Sequence, residues 1–231
     1  QTEYDAGQRT LLAPRFTCSA VPEVTDWFGA VPAMVKSCTV AELGMTRATP
    51  GAYYWLWAWD NMVTGMESLR WGDYDLVAEM VRFINSHRDD DGSIPARWTR
   101  SGLPLDTPPR GALEFLLLHL AYQHALETGT NDTLLDVYPH AVSHLRAIAE
   151  LSGGNGFVPN ASFYPDLPFA FGRTERSLVA LETGCLYGFA RVLENTALRA
   201  GDGHTRETAR HLASRIETGF LNTFWDEQRG F

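Results

Sequence analysis

TPPRGALEFLLLHLAYQHALET, residues 107–128, is the stretch that decides the fold. Thr107 is a good N-cap and Pro108 suits the first helical position, so a helix is predicted from here to the break at Gly129. The side chains of this helix are apolar nearly all round, whereas a surface helix keeps one polar side. We therefore predict that the helix 108–128 is deeply buried and that other helices cover it.

Helical periodicity continues on both sides of this stretch. Apolar residues recur at intervals of three and four from Glu23 to about Thr39, with a bend at Pro32. Further helices are predicted after Asp60, from Leu76 to His87, after Asn131, from about Thr174 to Ala200 and from about Thr205 to Phe220. The sequence thus predicts an irregular N-terminal segment over 1–22 and one all-α domain over 23–231.

Short turns join some of these helices and long connections join others. The short turns are Gly72-Asp73, Gly129 and Gly201-Asp202, and the long connections are 41–59, 89–106 and 153–173. A short turn between two long helices produces a helical hairpin. Long hairpins of irregular period are typical of an α/α toroid, in which each hairpin supplies one inner and one outer helix. The long connections then collect at one end, where we expect a functional site.

Composition excludes several classes of partner. The net charge is −9 over 231 residues, which argues against nucleic acid and anionic membranes. No apolar run approaches the roughly 20 residues of a membrane span. The three cysteines contain no C-x-x-C pair and give no support to a zinc site. We expect a soluble protein without metal or cofactor, and its compartment stays open, with the cytoplasm slightly favoured over secretion.

An unusual aromatic stretch lies in the first long connection. Residues 51–61 read GAYYWLWAWDN, and in an extended segment the alternation puts Tyr53, Trp55, Trp57 and Trp59 on one side. Flat apolar rings that end in a carboxylate, that of Asp60, suit a ligand with apolar C–H faces and many hydroxyls, as a sugar has. The alternative is that the rings belong to the core and that the aspartate is the N-cap of the next helix.

Three motifs together resemble a known family. They are Tyr54-Trp55-Leu56-Trp57-Ala58-Trp59-Asp60, Asp90-Asp91-Gly92-Ser93-Ile94-Pro95 and Phe224-Trp225-Asp226-Glu227. In this order they are similar to motifs of the (α/α)6-barrel glycoside hydrolases, the six-hairpin group of trehalases, processing α-glucosidases and glycogen-debranching glucosidases. The resemblance covers most of the chain from about Glu23 onward. It implies a partial (α/α)6 barrel and an exo-acting glycosidase.

The resemblance also implies residues for binding the carbohydrate substrate. Asp60 would bind hydroxyls of the sugar at the non-reducing end rather than transfer a proton. The aromatic candidates that would surround this sugar are Tyr54, Trp55, Trp57 and Trp59. In the second long connection, Arg97 and Trp98 are candidates for hydroxyl donors and a sugar stack, and their alternative role is packing at the rim of the barrel.

Hydrolysis needs two carboxyl groups beside the glycosidic bond. They lie about 6.5–9.5 Å apart in inverting enzymes and about 5–5.5 Å apart in retaining ones. In the family the general acid comes from a loop that corresponds to 153–173, although its Ser-Gly-x-Asp pattern is missing here. The candidates are Asp166, among aromatic neighbours that raise its pKa, and Glu175, for which a charge at a helix start is the preferred interpretation. We therefore prefer Asp166.

The family's catalytic base lies after the Phe-Trp-Asp-Glu motif, near which this sequence ends. Seven helices are predicted, against the twelve that six hairpins require. We therefore expect the first half of a barrel, truncated at the C-terminus, with a missing C-terminal half or a partner chain to complete it, and no activity from this part alone. Two alternatives stay open: a non-catalytic helical carbohydrate-binding or scaffold domain, and a toroidal polysaccharide lyase, which needs a Tyr/His/Arg cluster instead.

Overall fold

The structure, a computed structural model, describes residues 19–49, 54–106, 111–151, 156 and 175–228 of the chain. This part of the chain contains seven α-helices and five very short β-strands. The helices are α1 (Pro22–Cys38), α2 (Ala58–Trp71), α3 (Tyr74–Ser86), α4 (Gly111–Thr128), α5 (Asp132–Leu151), α6 (Glu175–Ala200) and α7 (Gly203–Phe224). The strands are β1 (Thr39–Val40), β2 (Met45–Thr46), β3 (Leu56–Trp57), β4 (Arg97–Trp98) and β5 (Pro104–Asp106).

The predicted all-α class is confirmed in its coarse form, since most of the described residues are helical. One boundary is wrong, because α2 begins at Ala58, inside the connection predicted over 41–59. Trp59 and Asp60 therefore lie in the first turn of a helix and not in an extended segment. Within the described part of the chain, no helix combines the length and the apolar character needed to cross a membrane.

Each predicted hairpin turn contains a glycine in the left-handed conformation. The φ angles are 78° at Gly72, 73° at Gly129 and 72° at Gly201. Glycine adopts such angles without steric cost and is the typical residue just after a helix end. The Gly72 N–H donates to the Leu69 carbonyl at 3.0 Å, and the Gly201 N–H donates to the Leu198 carbonyl at 3.3 Å. The pairs α2–α3, α4–α5 and α6–α7 thus form three helical hairpins.

The hairpins are arranged in two layers. Helices α2, α4 and α6 contact one another in that order, and α3, α5 and α7 do the same beside them. Helix α4 packs against α2, α3, α5 and α6, which is the covering that its sequence predicts. Leu117, Leu118 and Leu120 have no exposed surface. Full burial of one leucine side chain contributes roughly 1.5–3 kcal/mol, so α4 is a major source of stability.

Hydrogen bonds join the second and third hairpin turns at one end of the layers. Arg199 Nη1 donates to Asn131 Oδ1 at 3.3 Å, and the Tyr138 hydroxyl donates to Asp202 Oδ2 at 2.9 Å. The Asp202 carboxylate also accepts a hydrogen bond from the Thr205 N–H and so caps α7. The hydrogen bonds from Thr205 and then Tyr138 lower the pKa of Asp202 to about 2.

The first two long connections meet at the other end of the helices. Strand β3 comes from the first connection, and β4 and β5 come from the second, in the order β3–β4–β5. The pairing is antiparallel, with Leu56 opposite Trp98 and Trp57 opposite Arg97. Of the third connection, the structure describes Gly156 alone. The small sheet therefore brings the aromatic stretch against the segment that follows the Asp-Gly-Ser-Ile-Pro turn.

Gly44 and Gly129 are a matched pair for testing how closely the segment between β1 and β2 packs on α3. Their φ angles are 62° and 73°. An added Cβ at Gly44 would collide with the Cβ of Glu79, whereas nothing lies within 4 Å of one added at Gly129. We expect Gly129→Ala to lower the free energy of unfolding by about 1 kcal/mol, and Gly44→Ala by about 3 kcal/mol or more. Urea unfolding measures both, and equal losses would contradict the close packing.

Candidate functional site

The sheet β3–β4–β5 has one side in the core. Leu56 and Trp98 point to this side, and both are fully buried. The Trp98 indole N–H donates to the His87 carbonyl at 3.0 Å, and the ring packs edge-on against Phe83. Trp98 is thus a core residue and is not available to stack on a ligand, in contrast to the substrate-binding role predicted for it.

The other side of the sheet carries aromatic residues and an arginine. The guanidinium carbon of Arg97 lies 5.0 Å from the centroid of the Trp57 ring and 5.6 Å from that of Trp55. These are distances at which a guanidinium is attracted to the faces of indole rings. We call Trp55, Trp57 and Arg97 the aromatic face. Trp55 is 37% exposed and the adjacent Tyr54 is 69% exposed, so solvent reaches this face.

Trp59 and Asp60 are placed differently from the prediction. The alternation requires Tyr53, Trp55, Trp57 and Trp59 on one side of an extended segment, but Trp59 is helical and packs partly buried against the core. Tyr53 lies outside the described residues. The alternative role of Asp60 is also wrong, because the N-cap residue of α2 is Trp57. The stretch therefore divides into an aromatic face and a helical first turn.

A cleft of about 550 Å3 opens between α1 and the beginning of α2. Trp59 and Asp60 line it from α2, and Arg47 lines it from the segment after β2. The rest of the lining is mostly apolar: Val31, Met34, Val35, Ser37, Cys38, Thr46, Ala48, Thr49, Val63 and Thr64. Pockets for small ligands usually have volumes of about 300–1,000 Å3 and few polar groups among apolar walls. This cleft has both properties.

The Asp60 carboxyl is half-buried in this cleft. Burial disfavours the ionised form and raises the pKa of Asp60 above its ordinary value, and the backbone N–H of the same residue offsets part of this rise. A hydrogen bond to a partly desolvated carboxyl is electrostatically stronger than one in water. The position of Asp60 is therefore suited to bind hydroxyl groups of a ligand that enters the cleft.

Asn61, for which no role is predicted from the sequence, joins two walls of the cleft. Its Oδ1 accepts hydrogen bonds from Thr46 N at 2.6 Å and Thr46 Oγ1 at 3.1 Å. Its Nδ2 donates to the carbonyls of Thr46 and Trp57, each at 2.8 Å. The amide is fully buried and all of its hydrogen-bonding capacity is used. An asparagine inside a helix is unfavourable unless its side chain has such partners. Its occurrence near the start of a predicted helix is therefore the sequence feature from which this role could have been predicted.

The two predicted catalytic residues are not placed by the structure. Asp166 lies outside the described residues. Glu175 is the first residue of α6, and its side chain is not among those described. Their catalytic roles stay predictions. Within the described ranges, no group of three or more His, Cys, Asp or Glu side chains is arranged to hold a metal ion.

Comparisons with known proteins give no family assignment. A scan against models of protein families finds no match, and a search of curated proteins finds no significant relative. The family resemblance consequently depends on the three short motifs. Function has to be inferred from the aromatic face, the cleft and the elements that carry them.

Replacing Asn61 by alanine leaves the buried polar groups of Thr46 and Trp57 without this partner. Each buried group left unsatisfied costs about 1–3 kcal/mol, so we expect Asn61→Ala to lower the free energy of unfolding by about 3 kcal/mol or more. Asn195→Ala is the control, because the Asn195 side chain is exposed, and it is expected to change stability by about 0.5 kcal/mol or less. Similar losses in both variants, measured by guanidinium unfolding, would contradict the role of Asn61.

The raised pKa of Asp60 makes its carboxyl destabilising at neutral pH in the absence of ligand. The unfolded chain loses this proton near pH 3.8, whereas the folded protein keeps it to a higher pH. Folding therefore costs additional free energy as the pH rises from the unfolded pKa through the folded one. We expect Asp60→Asn to be more stable than the wild type at pH 7, with no difference below pH 3.8.

Thermal unfolding at a series of pH values measures this effect. Glu127→Gln is the control, because Glu127 is an exposed carboxylate in the last turn of α4, at the opposite end of the helices. A difference between Asp60→Asn and wild type that is the same at every pH would refute the raised pKa.

Proposed function

We propose that the protein is a glycoside hydrolase that acts on an oligosaccharide or glycoside from its non-reducing end, and that Asp60 and the aromatic face bind the sugar. The observation that carries the proposal is the arrangement of the first long connection. Within six residues it supplies two indoles stacked with Arg97 and a half-buried carboxyl in a cleft of ligand size.

The chemistry of these groups matches that of a sugar. A pyranose has apolar C–H faces, which pack on indole rings, and a rim of hydroxyl groups, which exchange hydrogen bonds with carboxylates and guanidinium groups. Trp55 and Trp57 supply the first kind of contact, and Asp60 and Arg97 supply the second. Cation–π attraction holds the guanidinium of Arg97 in place over the rings, so little side-chain entropy is lost when a ligand binds.

The arrangement of the helices also favours this proposal. Three hairpins in two layers, with short turns at one end and the first two long connections at the other, are what an arc of an (α/α)6 toroid requires. In this proposal α2, α4 and α6 are inner helices, and α3, α5 and α7 are outer helices. The remaining hairpins would come from a C-terminal half or from a partner chain.

Catalysis in this proposal needs two carboxyl groups that differ from Asp60. Asp166 is the proposed general acid, and Glu175 is the second candidate for that role. By the family resemblance, the base that activates water, or attacks directly, comes from beyond Phe231. The distance between acid and base then decides whether the anomeric configuration is inverted or retained.

A non-catalytic carbohydrate-binding domain is the second candidate function. It needs only the aromatic face and the Asp60 cleft, and it requires no pair of carboxyl groups beside a glycosidic bond. This function predicts sugar binding without release of monosaccharide. The two proposals therefore differ in turnover and agree on the binding residues.

Binding and turnover are tested separately. Titration of the protein with soluble α-linked glucose oligosaccharides, followed by calorimetry, measures binding. We expect Trp55→Ala to weaken it by about tenfold and Asp60→Asn by about tenfold to a hundredfold. Leu126→Ala and Glu127→Gln, both at exposed positions in the last turns of α4, are the matched controls and are expected to bind as the wild type does.

Turnover is measured as release of monosaccharide from chromogenic α-glycosides by the natural protein that carries this sequence. We expect Asp166→Asn to abolish release while sugar binding is retained, because an amide cannot protonate the leaving oxygen. Unchanged activity in both Asp60→Asn and Asp166→Asn would refute the proposed site. Sugar binding by the wild type without any turnover would favour the binding domain.

A further inference from the structure

Arg88 and Glu114 form a buried ion pair beneath the second long connection. Arg88 Nη1 lies 2.6 Å from Glu114 Oε1, and Nη2 lies 3.2 Å from Oε2. The two side chains are 5% and 7% exposed. Arg88 follows α3, and Glu114 lies in the first turn of α4. The bidentate pair therefore joins the first hairpin to the second out of contact with water.

The same guanidinium binds two further groups. Its Nε donates to Asn85 Oδ1 at 3.1 Å, and its Nη1 donates to the Gly92 carbonyl at 2.8 Å. Asn85 in turn donates from Nδ2 to the Asp136 carbonyl in α5 at 3.0 Å. One arginine thus connects α3, α4 and the turn 89–93. A lysine cannot make all four of these contacts, because its three donors sit on one nitrogen and lack the planar fork of arginine.

The turn 89–93 leads directly to the aromatic face. It is closed by hydrogen bonds from Gly92 N to the Asp89 carbonyl at 2.8 Å and from Asp89 N to the Ser93 carbonyl at 3.0 Å. The next three residues, 94–96, are buried. The Ala96 carbonyl then accepts from Ala58 N at 2.9 Å, and Arg97 follows. No exposed or loosely packed residue separates the turn from the stacked guanidinium.

Stability alone does not account for this ion pair. Removing two charges from water is costly, and the attraction between them offsets that cost only in part, so apolar residues of similar volume often replace a buried pair without loss. Apolar residues cannot, however, donate a hydrogen bond to the Gly92 carbonyl. Arg88 therefore fixes the position of the turn 89–93, which an apolar residue at the same place could not do.

We propose that Arg88, held by Glu114, is a positioning residue for the aromatic face. By fixing the turn 89–93 it sets the register of β4 against β3, and so it sets the stacking of Arg97 on Trp57 and Trp55. The effect on ligand binding rests on the proposed function, whereas the effect on the geometry of the face does not.

The test is a double variant, Arg88→Met with Glu114→Leu, which removes both charges and keeps most of the volume. We expect it to fold, while amide hydrogens in residues 89–98 exchange about tenfold faster or more, because the turn opens locally. The near-ultraviolet circular dichroism of the stacked indoles is expected to weaken. The control removes the exposed ion pair of α7 by Glu207→Gln with Arg210→Gln and is expected to leave both signals unchanged.

Two outcomes overturn the proposal. The first is a folded double variant whose residues 89–98 exchange at the wild-type rate and whose near-ultraviolet spectrum is unchanged. The second is a uniform increase in exchange over all helices, which is the result expected of an ion pair that only stabilises the fold. Arg88→Lys covers the case in which the double variant does not fold. It keeps a charge beside Glu114, but its single nitrogen has three donors for the four contacts of Arg88 and no rigid fork, so the turn is held less firmly. Wild-type exchange in 89–98 therefore overturns the proposal as well.

A ligand titration separates this proposal from the proposed function. Where the wild type binds α-linked glucose oligosaccharides, we expect Arg88→Lys to weaken binding by about tenfold through the displaced face. Unchanged affinity, together with faster exchange, would refute that consequence. A wild type that binds none of these sugars counts against the proposed function alone, since the exchange and dichroism results need no ligand.

Discussion

The burial of helix α4 is the constraint on which the rest of the structure depends. Its leucines lie on all sides, so the helix is stable only where four other helices cover it. Two polar side chains of α4 are buried as well, and each has a partner: Glu114 binds Arg88, and His124 contacts the Thr133 hydroxyl. Covering the leucines therefore decides which helices are neighbours. Satisfying the two polar groups decides which ends of those helices meet.

The small sheet converts a run of aromatic residues into a surface with two different sides. Leu56 and Trp98 complete the core, while Trp57 and Arg97, one residue along each strand, lie half-buried on the opposite side of the sheet. Successive side chains of a strand point to opposite sides of the sheet, and here two paired residues on each strand are enough to produce two different sides. The proposed sugar site combines these rings with the partly desolvated carboxyl of Asp60, a few residues further along the chain.

Much of the helical scaffold could be predicted from the sequence, because its signals are local. The period of 3.6 residues and the glycines at 72, 129 and 201 lie within the elements that they define. The candidate site was predicted only in part, because its geometry depends on distant partners. Asn61 bonds Thr46, fifteen positions earlier, and Arg88 bonds a residue twenty-six positions later. Local periodicity in the sequence does not predict contacts between such distant residues. The start of α2 at Ala58 was mispredicted for the same reason, since the Ala58 N–H bonds the distant Ala96 carbonyl.

The difference between local and distant contacts also implies an order of assembly. Each hairpin closes over a turn of a few residues, so its contacts form at little cost in chain entropy. Strands β3 and β4 can pair only after α2 and α3, which separate them in the chain, have folded back on each other. We therefore expect the helical layers to form first and the aromatic face last. The aromatic face, the surface proposed to bind a ligand, is then also expected to come apart first, while the hairpins beneath it remain folded.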